Sequence, residues 1–241
     1  MNVALIFAGG AGARMNTKTK PKQFLELNGK PIIIHTIDNF EYHSLIDAIV
    51  VVCLEQWIPY MEEMLIRYHI RKVKWVVPGG ETGQQSIRKG LDVLWLDEAV
   101  PDNALVLIHD GVRPLINEDI ISRNIACAEQ YGNAVTVAPA IETIINVTPT
   151  DEISEIMDRS RCRMARAPQT FRLSEILYAH RLAAADGNCD MIDSAMLMSH
   201  YGARLHIIEG PMENIKITTP SDFYIFRAIY EARENSQIWG I

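Results

Sequence analysis

The residues best suited to chemistry stand within the first twenty-five positions of the chain. An apolar run at 3–8 leads into a glycine-rich stretch, followed by two cationic side chains. Backbone N–H groups in a turn after a strand can hold phosphate oxygens, and nearby cations add charge directed at the same oxygens. The pattern predicts chemistry on a nucleoside triphosphate. The residues concerned are Gly9, Gly10, Gly12, Arg14 and Lys22.

Two well-known glycine loops do not match this stretch. A Walker A loop requires G-x-x-x-x-G-K-[ST], and the chain contains no such string. A Rossmann dinucleotide loop requires a third glycine where Met15 stands and an acidic residue after the second strand, and Ala48–Cys53 ends without one. A dinucleotide cofactor is therefore disfavoured. A glycine turn that only links a strand to a helix is the structural alternative.

A second candidate lies at the end of another apolar run, where Leu105–Ile108 leads into His109 and Asp110. A carboxylate beside a triphosphate would be repelled unless a cation stood between them. Mg²⁺ commonly takes one or two carboxylates together with phosphate oxygens, so we expect Asp110 to be a magnesium ligand. The alternative is a structural role, because an aspartate after a strand can also cap the following turn.

Composition narrows the classes of partner. The chain has 241 residues, of which 48% are hydrophobic, enough for one large α/β domain. Its net charge is −7 and it has no Lys/Arg-rich run, so nucleic acid is not an expected partner. Neither a membrane-spanning run nor a targeting segment is visible, and the four cysteines form no C-x-x-C pair. We expect a cytoplasmic protein without a membrane partner.

Short Val/Ile-rich runs alternate with helical patterns over the first 140 residues, which predicts a Rossmann-like, mostly parallel sheet with helices on both faces. Ligands of such sheets bind at the carboxyl ends of the strands. Three loops with candidate residues, the glycine stretch, 78–80 and 109–110, should meet there. The predicted strands are Asn2–Phe7, Ala48–Cys53, Lys74–Val77, Ala104–His109 and Ala134–Pro139. The predicted helices are Ile32–His43, Trp57–His69, Thr82–Leu96 and Glu118–Tyr131.

The alternation breaks after Pro139. Turn residues between two β-rich runs predict a hairpin that forms an arm at about 141–165. We expect one domain over residues 1–241, with this arm protruding from it. The later predicted elements are helices Leu173–Ala184, Ile192–Tyr201 and Pro220–Arg233, and strands Arg204–Ile208 and Asn214–Thr218.

Several segments, in this order and spacing, resemble the polyol-phosphate cytidylyltransferases, which include the 2-C-methyl-D-erythritol 4-phosphate and ribitol-5-phosphate enzymes. The resemblance covers nearly the whole chain. The segments are 8–15, 21–23, Gly79-Gly80 with Ser86, 109–114, Glu142-Thr143, Asp158-Arg159, 167–171, Glu209-Gly210 and 214–216. It implies that CTP and a polyol phosphate give a CDP-polyol and pyrophosphate, with a divalent cation such as Mg²⁺.

The resemblance also assigns roles on the nucleotide side. It places Arg14 and Lys22 at the triphosphate, where they would stabilise charge on the α-phosphate and the leaving pyrophosphate. Gly80, Glu81 and Ser86 would face the cytosine, and Ala8 and Gly9 would form the opposite wall. Selectivity for cytosine is implied by the resemblance alone.

On the acceptor side, the resemblance places Lys216 at the incoming phosphate and implies that Arg113 helps hold the acceptor phosphate or its loop. Arg159 and Thr143 would reach from the arm into a second subunit, which requires a homodimer. Arg159 in an ion pair within the arm is the structural alternative. Asp193 and Glu213 are further substrate-side candidates.

Departures from the methylerythritol-phosphate pattern lie mostly on the acceptor side. Gly83 stands where that pattern commonly has arginine, Glu142 and Glu213 replace aspartates, and Ile192 replaces the threonine before Asp193. Segments 21–27, 31–37 and 168–172 look more like the ribitol-phosphate enzymes. The expected acceptor is therefore D-ribitol 5-phosphate, for polymer or capsule synthesis, with methylerythritol phosphate of isoprenoid synthesis as the alternative.

Three other classes fit the sequence less well. Sugar-1-phosphate nucleotidyltransferases are usually longer and carry a C-terminal repeat domain, which the sequence lacks. A non-catalytic nucleotide sensor would be expected to lose Lys22, Asp110 or Lys216, and all three are present. An oxidoreductase is disfavoured by the mismatched glycine loop.

Overall fold

The computed structural model describes residues 1–9 and 20–239, with side chains up to residue 235. The strands are β1 Asn2–Ala8, β2 Glu26–Leu27, β3 Lys30–Pro31, β4 Ala48–Cys53, β5 Val73–Pro78, β6 Leu105–Asp110, β7 Asn133–Pro139, β8 Ile145–Val147, β9 Ile153–Ile156, β10 Arg163–Arg172 and β11 Ile207–Glu209. The helices are α1 Ile32–Glu41, α2 Ile58–Arg67, α3 Gly83–Leu96, α4 Glu118–Tyr131, α5 Leu173–Ala185, α6 Ser194–His200 and α7 Pro220–Trp239.

Within the described part of the chain, seven strands form the main sheet in the order β11-β7-β10-β6-β1-β4-β5. Their pairings are parallel except for β10, which runs antiparallel to both β6 and β7. Every residue of β4 and β6 is buried, as expected for apolar strands covered on both faces. The predicted α/β sheet is confirmed.

Helices cover both faces of the sheet. Apolar side chains of α1, α2 and α4 form a core on one face, and those of α3, α5 and α6 form a core on the other. A smaller cluster joins α7 to the segment after β6, with Phe226 and Ile217 fully buried in it. The two cores fix the sheet, and the sheet fixes the ends of β1, β5 and β6.

The largest difference from the predicted elements is β10. No strand was predicted at these positions, and Pro168 in the middle of β10 is of a type disfavoured in central strands. The structure accommodates the proline at a register shift between Ala165 and Gln169, and pairing with β6 begins only at Gln169. The strand β10 begins at Arg163, inside the range of about 141–165 that was predicted for the arm.

Three smaller differences concern short segments. The predicted strand Asn214–Thr218 is wrong: the segment makes a single main-chain bond to the loop after β6, from Ile217 N to Val112 O, and no strand pairing. The last strand is Ile207–Glu209, not Arg204–Ile208. The hairpin of β2 and β3 was not predicted, because two-residue strands leave no periodic signal.

The strands β8 and β9 pair as an antiparallel hairpin. Ile145 lies opposite Ile156, and Val147 lies opposite Ile153. Side chains directly opposite each other share a face of the hairpin, so these four apolar residues lie together. Between 43% and 65% of each residue is exposed.

Candidate active site

A first cavity, of about 210 Å³, opens where the ends of β1 and β6 meet the loop between β5 and α3. We call it the glycine-loop cavity. Gly9, Gly80 and Asp110, from the three loops that were predicted to meet at the carboxyl edge of the sheet, all line this cavity, and the glycine stretch beyond Gly9 lies outside the described residues. The lining residues are Phe7, Ala8, Gly9, Lys22, Gln23, Gly80, Glu81, Thr82, Gly83, Ser86, Asp110, Val112 and Lys216.

Close backbone packing around Ser86 explains the glycines of this wall. A Cβ atom on Gly9 would lie 2.9 Å from Ser86 Oγ, and one on Gly79 would lie 3.1 Å from it. Both contacts are tighter than those that most side chains make, so any larger residue would displace the Ser86 hydroxyl. The Ser86 hydroxyl accepts from Gly80 N at 3.0 Å and donates to Thr82 O at 2.9 Å. Ser86 was expected to face the base. In the structure its hydroxyl is bonded to main-chain groups of the loop, so it also fixes the shape of that loop.

Lys22 lies on the opposite side of the glycine-loop cavity, in a single helical turn at 22–24. Its Nζ donates to Ile217 O at 3.1 Å. The neighbouring Gln23 is buried and donates from Nε2 to Ala8 O at 2.8 Å. The turn is thereby tied to the end of β1, which keeps the lysine in the wall of the cavity.

A buried carboxylate with two cations lies at the end of β6. Asp110 Oδ1 is 2.6 Å from Lys216 Nζ, and Asp110 Oδ2 accepts from Arg113 Nε at 2.6 Å. Burial opposes ionisation, but the charges of Arg113 and Lys216 outweigh it and hold the pKa of Asp110 well below its usual range. The carboxylate is therefore charged at neutral pH, and Lys216 is the partner that reaches solvent, with 40% of its side chain exposed.

Arg113 makes hydrogen bonds through both its guanidinium group and its main-chain carbonyl oxygen. Besides Asp110, it donates from Nη1 to Asn214 O at 2.9 Å, and its carbonyl oxygen accepts from His109 Nε2 at 3.1 Å. Burial lowers the pKa of His109 to about 4, so its imidazole is neutral and Nε2 carries the donated proton. In this structure Arg113 holds the loop after β6 to the segment that carries Lys216.

A second cavity, of about 270 Å³, lies between the sheet, α3, α5 and α6. We call it the α6 cavity. It shares Phe7, Gly83, Asp110 and Lys216 with the glycine-loop cavity. The Asp110–Lys216 pair thus lines both. The remaining lining residues are Gln84, Ile87, Ile108, Arg113, Ala165, Arg166, Ala167, Gln169, His180, Met191, Ile192, Asp193, Ser194 and Leu197.

Asp193 lines the α6 cavity, but its carboxylate is engaged by the protein. One oxygen caps α6 by accepting from Met196 N at 2.8 Å, and the other accepts from Gln169 Nε2 at 2.9 Å. The structure therefore gives Asp193 a position-holding role in the wall.

Three predicted acceptor residues lie away from both cavities of this chain. Arg159 is exposed and donates from Nη1 to Ile141 O at 2.8 Å, at the base of the arm. Thr143 and Glu213 are also exposed and line neither cavity. The predicted residues Gly10, Gly12 and Arg14 lie outside the described residues.

Metal-binding groups are sparse in the described ranges 1–9 and 20–239: no cluster of three or more His, Cys, Asp or Glu side chains could hold an ion. The carboxylates lining the glycine-loop cavity are Asp110 and Glu81. A single carboxylate suffices for Mg²⁺ when phosphate oxygens and water complete the shell. Asp110 fits this role if Lys216, which is half-exposed, moves from Oδ1 to a phosphate.

Several cavity residues gave no signal in the sequence. His180 lies inside α5 and is only 4% exposed, and its Nε2 has no hydrogen-bond partner among the described residues. Arg166 Nε is likewise buried without a partner. Gln84 follows the glycines of the second loop but belongs to no motif. A histidine within an amphipathic helix reads as core, so only the packing of α5 reveals it.

The chain has a Rossmann-like sheet with a charged site at the carboxyl ends of its strands. The site lies between one cavity lined by glycine-rich loops and a second lined by side chains of helices. This arrangement is typical of an α/β nucleotidyltransferase. Residues 2–232 match the family model described as 2-C-methyl-D-erythritol 4-phosphate cytidylyltransferase. The chain belongs to this family and is a CTP-dependent cytidylyltransferase that uses a polyol phosphate.

Relatives within the family carry two names. The chain is 56% identical over 241 residues to a ribitol-5-phosphate cytidylyltransferase of Streptococcus agalactiae serotype III, covering 100% of both chains. It is 40% identical over 226 residues to a 2-C-methyl-D-erythritol 4-phosphate cytidylyltransferase of Clostridium acetobutylicum, covering 93% of this chain and 95% of the relative.

A solved structure supports the fold. The 4-diphosphocytidyl-2C-methyl-D-erythritol synthase of Anaerococcus prevotii superposes with a TM-score of 0.82, at 24% identity and 95% coverage of each chain. Among the described residues, no helix has the length and apolar character needed to cross a membrane.

Proposed function

We propose that this enzyme converts CTP and D-ribitol 5-phosphate to CDP-ribitol and pyrophosphate. One observation carries the choice of acceptor: full-length identity is 56% to a relative named for ribitol 5-phosphate, against 40% to one named for methylerythritol phosphate. The acceptor-side departures at Gly83 and Ile192 support it, because both residues line the α6 cavity.

In the proposed reaction, an oxygen of the acceptor phosphate attacks the α-phosphorus of CTP. The new O–P bond forms as the bond from the α-phosphorus to the bridging oxygen breaks, and pyrophosphate leaves with the electron pair. Both reactants are anions, so the enzyme must screen their charge and align them. The reaction needs no covalent intermediate on the protein.

The two cavities suit the two substrates. The glycine-loop cavity offers small walls and backbone groups for a flat base and its phosphates, with Gly80, Glu81 and Ser86 near the base and Lys22 near the triphosphate. The α6 cavity offers room for a short carbon chain. Lys216 lines both cavities, and its ammonium is the group that would contact the acceptor phosphate and the α-phosphate together.

A divalent cation is part of the proposal. Asp110 would hold Mg²⁺ beside the triphosphate, where the ion neutralises phosphate charge and orients the oxygens. When the ion and CTP are bound, Lys216 would exchange its contact with Asp110 for phosphate oxygens, while Arg113 keeps the carboxylate in place. The short Arg113–Asp110 contact, 2.6 Å, supports this division of roles.

We further propose a homodimer formed through the arm. An isolated two-stranded hairpin is marginally stable in water, and the apolar face of β8 and β9 is uncovered within one chain. A second copy would cover it. Arg159 and Thr143, which line neither cavity of their own chain, would then complete the acceptor site of the partner. Sedimentation of Ile153→Asp should show monomers if the face is the interface, and dimers would contradict this.

The cytoplasm is the proposed place of work, with no nucleic acid or membrane as partner. The four cysteines form no disulfide, as expected in a reducing compartment. The net charge of −7 opposes binding to nucleic acid.

The acceptor is tested by pyrophosphate release with CTP and Mg²⁺, with ribitol 5-phosphate and methylerythritol 4-phosphate compared side by side. A clear preference in kcat/KM for ribitol 5-phosphate is the expected result. Preference for methylerythritol 4-phosphate would overturn the acceptor and place the enzyme with the Clostridium relative.

A further inference from the structure

Segment 188–193 forms the outer wall of the α6 cavity. It joins α5 to α6 and has no regular secondary structure. Three of its consecutive residues, Met191, Ile192 and Asp193, line the cavity. One main-chain bond, from Asn188 N to Ala183 O at 2.8 Å, ties the start of the segment to α5, and side chains from other elements hold the rest of it.

Gln84 of α3 bonds to two residues of this segment. Gln84 donates from Nε2 to Asn188 O at 2.9 Å and accepts at Oε1 from Met191 N at 2.7 Å. Both ends of its amide are therefore used on main-chain groups of the segment. Thr82, the N-cap of α3, adds a bond from Oγ1 to Cys189 O at 3.2 Å.

A second glutamine holds the far end of the wall from the sheet. Gln169 of β10 donates from Nε2 to Asp193 Oδ2 at 2.9 Å and accepts at Oε1 from Ala195 N at 2.8 Å. The segment is thus held between two amides. Gln169 is buried within the sheet, whereas Gln84 lies at the start of α3, beside the glycine-loop cavity.

The first turn of α3 serves both cavities through neighbouring side chains. Gln85, the next residue, accepts at Oε1 from Glu81 N at 2.9 Å and so supports the wall of the glycine-loop cavity. Gln84 points the other way and supports the α6 cavity. Two adjacent glutamines of the same helix therefore support the walls of different cavities.

We propose that Gln84 is a positioning residue for the acceptor: it holds segment 188–193 in the place where that segment bounds the site of the polyol chain. This inference rests on the proposed function, because it takes the α6 cavity as the acceptor site. It assigns Gln84 to acceptor binding and leaves CTP binding to other residues.

The test compares Gln84→Met with Gln85→Met, which remove an amide from the same helix while keeping side-chain length. Steady-state pyrophosphate release gives KM for CTP and for whichever of the two polyol phosphates the wild-type enzyme turns over. Gln84→Met should raise the acceptor KM about tenfold with KM for CTP within about twofold of wild type, as expected for two lost hydrogen bonds to the wall. Gln85→Met should show the opposite pattern.

Hydrogen exchange of peptides covering 188–193 provides a readout that does not depend on the acceptor. Exchange should become faster in Gln84→Met and remain unchanged in Gln85→Met. If the wild-type enzyme used methylerythritol phosphate, the choice of acceptor would fail, yet the positioning role would still be judged by exchange and by KM. Unchanged exchange, or a rise in KM for CTP in place of the acceptor KM, would overturn the proposal.

A variant with a smaller change covers the case in which Gln84→Met does not fold. Gln84→Glu keeps the oxygen that accepts from Met191 N but loses the donor to Asn188 O. It should raise the acceptor KM, because a carboxylate oxygen would then face the carbonyl oxygen of Asn188 in place of the N–H donor. An acceptor KM equal to wild type in Gln84→Glu, together with unchanged exchange, would contradict the role of the amide.

Discussion

The two cavities are built from different materials. The glycine-loop cavity is walled largely by short loops, in which glycines allow Ser86 and the main chain to approach closely. The α6 cavity is walled by side chains of α3, α5 and α6 and by segment 188–193. Phosphates and a base can be held by backbone groups and a few cations, whereas a carbon chain is recognised by the shape and polarity of side chains. If CTP occupies the first cavity and the acceptor the second, as proposed, the difference explains why the glycine-loop residues form a readable motif, whereas wall residues of the α6 cavity such as Gln84 and His180 do not.

Asp110 lines both cavities, so its replacement should impair the sites of both substrates. In Asp110→Asn, Arg113 and Lys216 lose their shared anion, and the proposed Mg²⁺ would lose its carboxylate ligand. We expect turnover to fall by about a thousandfold or more, since removal of a preorganised charge has effects of this size. Pyrophosphate release measures it. Thermal unfolding gives the accompanying loss of stability, and turnover within tenfold of wild type would contradict a central role for Asp110.

Lys22 lines the glycine-loop cavity and not the α6 cavity, so its replacement should impair the reaction of CTP and not acceptor binding. Lys22→Ala should reduce kcat about a hundredfold by removing charge stabilisation at the leaving pyrophosphate. Lys20→Ala is the matched control, because Lys20 bonds Tyr60 and lines neither cavity. Equal kcat values for the two variants would show that Lys22 has no special role.

Arg159 tests the proposed contribution of the partner subunit to the acceptor site. Arg159→Ala should raise the acceptor KM about tenfold while CTP binding, measured by calorimetry, stays unchanged, because one charged contact to the acceptor phosphate is lost. Arg161→Ala removes the same charge from the same turn and should have little effect. Loss of CTP binding in Arg159→Ala would assign this residue to the nucleotide.

His180, in the wall of the α6 cavity, gives a prediction for the pH dependence of stability. Burial, followed by the charge of Arg88, lowers the pKa of His180 to about 4. Between pH 6.5 and 4 the unfolded chain binds a proton that the folded chain does not, so stability falls as the pH falls through this range, by up to about 3 kcal/mol. His180→Leu should lose this part of the pH dependence in denaturant unfolding. A pH dependence identical to wild type would contradict this, because it would mean that the pKa of His180 is the same in the folded and unfolded chains.

Sequence reasoning reached the sheet and the charged residues because each leaves a local signal. The strands β4 and β6 are continuous apolar runs, and Asp110 ends β6 at the carboxyl edge that the strand order predicts. Lys22 and Lys216 line the same cavity as Asp110, but the resemblance, not the strand order, had placed them at the site. It missed β10, whose proline and arginines look unlike a central strand, and it missed Gln84 and His180. The places of these two residues in the wall of the α6 cavity depend on which helices pack together, and no spacing along the chain encodes that.

The central claim is that the two cavities hold the two halves of the product, with Asp110 and Lys216 between them. A crystal structure with CDP-ribitol tests it most directly. The account predicts the cytosine in the glycine-loop cavity, the ribitol chain in the α6 cavity behind segment 188–193, and the diphosphate beside Lys216. A ribitol chain lying outside the α6 cavity would contradict the account.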